Sequence, residues 1–209
     1  MKSVRNDNSP KLLTYVLIIS VWLFVWALIP AVAPWSIGQW LFPDQSKISL
    51  LIDIALGTLV TATLFLTHRS VSAKLFSRHW SRYLLVGVAL LAVAVPFRAG
   101  GISQSVFGEP AWLYLLMSLV NVTMQQYATF GLLQHYLQKR FSPIWTVVLT
   151  GLLFYAAHIV LLSDKFASPQ AAMAITALGC LFAAIRQKTG VLYITLSLHL
   201  AFFLVAIAP

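Results

Sequence analysis

Asn121–Phe141 reads NVTMQQYATFGLLQHYLQKRF, a polar-studded stretch within a longer apolar run, Ala111–Gln138. It carries Asn121, Gln125, Gln126, Thr129, Gln134 and His135. Polar side chains in hydrocarbon are costly unless they find partners, so such a run marks a site or a helix contact. At helical spacing Ser118, Asn121, Gln125 and Thr129 share one face. That face is expected to point into a helix bundle. Two later apolar runs each hold one central histidine, His158 in GLLFYAAHIV and His199 in ITLSLHLAFF. The economical reading brings these three helices together around one polar pocket.

The rest of the chain supports a membrane setting. Of its 209 residues 60% are hydrophobic and 9% charged, whereas soluble domains are about a quarter charged. A spanning helix needs about 20 apolar residues. By that measure seven spans are expected, near Leu12–Ala33, Ile48–Thr67, Tyr83–Ala99, Ala111–Gln138, Ile144–Leu162, Pro169–Ile185 and Val191–Ala208. The expected fold is therefore an all-α polytopic membrane protein, its spans continuous and uninterrupted. Residues 1–110 form an N-terminal three-helix membrane region, and residues 111–209 form a core of four helices. Leu12–Ala33 is too long for a signal-peptide core and reads as a retained span.

The net charge of +9 reads as topology, not as a nucleic-acid surface. Eleven of the fourteen Lys and Arg residues fall in the N-terminal tail and in alternate loops on one side. Such a bias places the N-terminus in the cytoplasm and the C-terminus outside, in a plasma (inner) membrane. RSVSAKLFSRHWSR, residues 69–82, is a basic loop that fixes topology and contacts anionic lipid. PWSIGQWLFPDQ, residues 34–45, is an interfacial segment rich in Trp and Pro. Ala172, Thr176, Gly179 and Ala183 leave room for close helix approach.

Other candidates for chemistry are few. Asp53 is the only acid well inside a span, and an ion pair with Arg98 is preferred to catalysis. Cys180, the single cysteine, reads as a packing residue. His68, His79 and His135 lie at span ends or in loops and are expected to be solvated. A hydrolytic zinc site wants three protein ligands. With no HExxH in a span and no carboxylate near His158 or His199, no metal and no cofactor are expected.

The order of these motifs resembles the CAAX protease and bacteriocin-processing family, whose best-known relatives are the Ras-converting CAAX endopeptidases. That family pattern is Glu-Glu-x-x-x-Arg, then Phe-x-x-x-His, then a small-residue helix, then His-x-x-x-Asn. Gln125–Gly131, QQYATFG, stands at the first motif. Phe154–His158, FYAAH, matches the second outright. Leu178–His199, LGCLFAAIRQKTGVLYITLSLH, is similar to the closing segment. The resemblance covers about residues 111–205. It implies a glutamate that activates water, and histidines with an asparagine that polarise the carbonyl and hold the oxyanion.

Carried over residue by residue, the catalytic positions are Gln125, Gln126, His158 and His199, lined by Asn121, Thr129, Phe130, Phe154 and Phe203. Both glutamates are replaced by glutamine, the arginine by Phe130 and the asparagine by Phe203. A carboxamide holds a water but cannot take its proton. Loss of a general base typically costs about 10²- to 10⁴-fold. The expected function is an endopeptidase-like protein, weak or inactive, that binds a hydrophobic or membrane-anchored peptide or protein within the lipid. The other reading is a non-protease membrane binding, transport or immunity protein that uses the same pocket.

Overall fold

The computed structural model describes residues 12–29, 36–76, 81, 85, 87–88, 111–162 and 166–206. Every regular element among them is helical. In chain order these are α1 (Leu12–Ala27), α2 (Ile37–Leu41), α3 (Ser46–Thr67), α4 (Arg69–Leu75), α5 (Ala111–Gln126), a π-helical segment (Tyr127–Leu133), α6 (Gln134–Leu137), α7 (Pro143–Leu161), α8 (Pro169–Thr189) and α9 (Tyr193–Ala206). The expected span Tyr83–Ala99, Arg98 and His79 lie outside the described residues.

Three of the described helices, α3, α7 and α8, are long and apolar enough to cross a membrane. Leu13–Ala27 and Tyr193–Phe202 are shorter apolar helices. The first helix stops at Ala27, short of the expected Ala33, and Pro30 follows shortly in the sequence. The helix before the last runs past Ile185 to Thr189. There Gly190 takes φ 75°, and its N–H caps the Arg186 carbonyl. That left-handed conformation is open to glycine at little cost. Ser168 and Pro169 start the same helix, the serine oxygen accepting from Ala171 N at 3.1 Å.

Two loops hold structure that apolar periodicity does not reveal. The Trp- and Pro-rich loop contains α2, capped by Ser36, whose Oγ accepts from Gln39 N. Ser36 Oγ also donates to Asp53 Oδ2, and Gly38 N donates to Asp53 Oδ1 at 2.8 Å. Both carboxylate oxygens of Asp53 are therefore bound within the α2–α3 corner. The basic loop contains α4, with Ser72 and Leu75 buried. Its end is tied to the turn before α9, since Leu192 N donates to Leu75 O at 3.3 Å and Tyr193 Oη to Phe76 O at 2.7 Å.

The expected fourth span is helical without a break from Ala111 to Leu137, and its middle is the π segment. Its wider turn sends Gln134 N to Thr129 O, five residues back. All seven of its residues are buried. A Cβ at Gly131 would stand 3.0 Å from Tyr127 Cδ2 and 3.1 Å from Leu75 Cδ1, so glycine lets α4 sit close to this turn. Tyr127 stacks on Phe65, ring centroids 4.2 Å apart, and its hydroxyl meets Ser72 Oγ at 2.5 Å. His68 is half-buried, not solvated. Its Nδ1 donates to Leu64 O, which leaves Nε2 to accept from Tyr136 Oη, both at 3.1 Å.

The small residues of α8 do allow close approach. A Cβ on Gly179 would lie 3.0 Å from Gly151 Cα and 3.0 Å from the Phe154 ring. Cys180 fills the space beside Gly151, where a Cβ would come within 2.4 Å of its sulfur. Gly179→Val should therefore overpack the α7–α8 contact and lower stability by about 1–3 kcal/mol. Thermal unfolding in detergent, compared with Ala177→Val on an exposed face of the same helix, reads this difference.

Candidate functional site

The site is built from the end of α5, the π segment, α7, α8 and α9, with α1 closing one side. Gln126 is fully buried, and its Nε2 donates to His199 Nδ1 at 2.9 Å. That bond leaves His199 Nε2 as the protonated nitrogen. In α7, His158 Nδ1 donates to Phe154 O at 2.8 Å, which leaves Nε2 as the acceptor. One imidazole therefore offers a donor and the other a lone pair. His158 and His199 are linked by a shared neighbour, because the Phe154 ring lies 4.6 Å from the first and 5.9 Å from the second.

Around this pair stands an aromatic wall. Phe130 is sealed, with its ring 5.3 Å from Phe154 and 5.6 Å from Phe182. Phe182 also packs 5.4 Å from His199. An apolar ring at Phe130 thus occupies a site where an arginine would need a buried partner. Phe203 lies in α9, but its side chain is outside the described residues.

The buried polar residues of α5 and the π segment do not all look the same way. Gln126 faces α9, whereas Thr129 faces α1. Trp22 Nε1 and Trp26 Nε1 both donate to Thr129 Oγ1 at 3.0 Å. Trp26 continues onto His158, ring centroids 5.1 Å apart, and Phe166 covers the same histidine at 4.9 Å. The two tryptophans are the residues that sequence reasoning missed. Trp22 and Trp26 are spaced i, i+4 in an otherwise apolar helix, a signal that two indole donors share one face.

Asn121, Gln125 and Gln126 each keep a buried carboxamide oxygen that finds no donor among the described residues. Such acceptors in a dry setting gain most from a ligand that brings N–H or O–H groups. Gln134 Oε1 is likewise without a described donor, while its Nε2 donates to Ala183 O at 2.8 Å and ties α6 to α8. The described carboxylates lie elsewhere, Asp53 in the α2–α3 corner and Asp44 before α3. Among the described residues this cluster therefore has amides, imidazoles and a hydroxyl, but no carboxylate.

A membrane-embedded helical bundle with a glutamine–histidine pair at its centre is the class these features define. Residues 107–205 match the family model described as type II CAAX prenyl endopeptidase Rce1-like. That C-terminal stretch, just under half of the chain, is similar to the CAAX protease family. The matched region contains Gln125, Gln126, His158 and His199, while Trp22 and Trp26 precede it. No curated protein and no solved structure matches the chain.

Thr129 offers a clean test of how α1 closes the site. Thr129→Val keeps the shape but orphans two buried indole donors, at about 1–3 kcal/mol for each unsatisfied group. Chemical unfolding in detergent should show that loss, with Thr129→Ser retaining most of the stability. Equal stability of the valine variant would mean that the hydroxyl does not hold the two indoles.

Proposed function

We propose that this protein is an intramembrane endopeptidase scaffold of the CAAX protease type in which Gln125 and Gln126 replace the glutamate pair. On this reading it binds a hydrophobic or membrane-anchored peptide and hydrolyses it weakly or not at all. The observation that carries the reading is the Gln126–His199 hydrogen bond, sealed in the bundle and lacking a nearby described carboxylate. Hydrolysis of a peptide bond needs a group to take a proton from water while the carbonyl is polarised. His199 Nε2–H suits the second task. Neither glutamine suits the first, because a carboxamide has no basic form near neutral pH.

Binding does not share that requirement. An extended peptide brings backbone N–H groups to the carboxamide oxygens of Asn121, Gln125 and Gln126, and its carbonyl to His199. The same proposal places the N-terminus in the cytoplasm and the C-terminus outside, following the distribution of basic residues.

The decisive experiment restores the acids. Gln125→Glu with Gln126→Glu, reconstituted in liposomes with a prenylated CAAX peptide, should raise cleavage about 10²-fold or more over the unmodified chain. His199→Ala in that background should remove the gain. Cleavage by the unmodified chain equal to that of the double variant would overturn the proposal.

A further inference from the structure

A cavity of about 440 Å³ lies where three helix ends converge, apart from the glutamine–histidine pair. α4 lines it with Ser70 and Lys74, the end of α6 with His135 and Lys139, and the end of α8 with Arg186 and Gly190. None of its lining residues is acidic. His135, expected to be solvated, is half-buried in its wall.

Basic residues at helix C-termini ordinarily answer the partial negative charge of the macrodipole. Three helix ends supply only about half a charge each. Lys139 and Arg186 bring a full positive charge each to the same lining as Lys74, more than those ends answer. Arg186 is only 7% exposed, its Nη1 donates to Gln138 Oε1 at 2.7 Å, and its buried Nε finds no acceptor among the described residues. A buried guanidinium with an unspent donor beside two further cations is a built anion site. Lys139 is steadied there, its Nζ 4.7 Å over the Tyr136 ring.

We propose that this cavity binds the phosphate of an anionic phospholipid headgroup. The place favours lipid over a soluble anion, because Arg186 sits in the last turn of α8, a helix apolar and long enough to cross a membrane. Headgroup phosphates lie at the level of such helix ends, and basic pockets between membrane helices are where anionic headgroups settle. The segment residues 69–82, whose basic character the peptide site does not use, gains a role in this way.

The test uses the full chain in nanodiscs of phosphatidylcholine with rising phosphatidylglycerol, read by native mass spectrometry and by thermal unfolding. Phosphatidylglycerol should bind and stabilise, and phosphatidylcholine should not. Lys74→Gln with Lys139→Gln should weaken binding about thirtyfold, each basic group near an anionic surface being worth about a factor of five. Both lysines are exposed, so this variant keeps the fold, whereas Arg186→Gln would also break the bond to Gln138. Undiminished phosphatidylglycerol binding by the double variant, or equal binding of phosphatidylcholine, would overturn the proposal. Equal stabilisation by inorganic phosphate alone would overturn the lipid assignment in favour of a soluble anion.

Discussion

Gln126 and His199 meet at 2.9 Å inside a bundle whose other contacts are mostly apolar. In such surroundings a polar group without a partner is expensive, and the reference state in lipid offers no water to replace it. The bond therefore fixes where α9 stands against α5. With α9 set, Phe154 and Phe182 pack on His199, and Phe130 fills the space between them. The π segment belongs to the same constraint. A turn of different width lets Gln126 face α9, Thr129 face α1 and Gln134 reach α8 within one continuous stretch of chain.

The chemistry follows from the kinds of groups placed together. Two imidazoles offer opposite roles, one a donor and one an acceptor, while the stretch from Asn121 to Gln134 holds four buried carboxamide oxygens without a described donor. Among the described residues that set holds hydrogen-bond donors and acceptors but no carboxylate. Phe130 adds to this character, because it joins the aromatic wall where a charged side chain would require an acid beside it.

Much of this was legible in the sequence, and the rest was hidden for identifiable reasons. Polar residues at helical spacing in an apolar run marked α5, and the paired histidines marked α7 and α9. Gly179 and Ala183 announced a close helix contact, which the Gly179–Gly151 approach bears out. The π turn was not legible, since YATFGLL has no composition that separates it from an α-helix. Trp22 and Trp26 were hidden because tryptophan is at home in any apolar span. Asp53 drew attention as an intramembrane acid, yet Ser36 and Gly38 occupy it from a loop that reads as interfacial. Helices as short as α2 and α4 leave no periodic signal to read.

The Gln126–His199 contact holds α5 and α9 together, and a double-mutant cycle measures it most directly. Stabilities of the unmodified chain, Gln126→Ala, His199→Ala and the double variant would be compared by unfolding in one detergent. The structure predicts a coupling of about 0.5–1.5 kcal/mol, the net contribution of a typical hydrogen bond. Additive losses, with no coupling between the two positions, would contradict it.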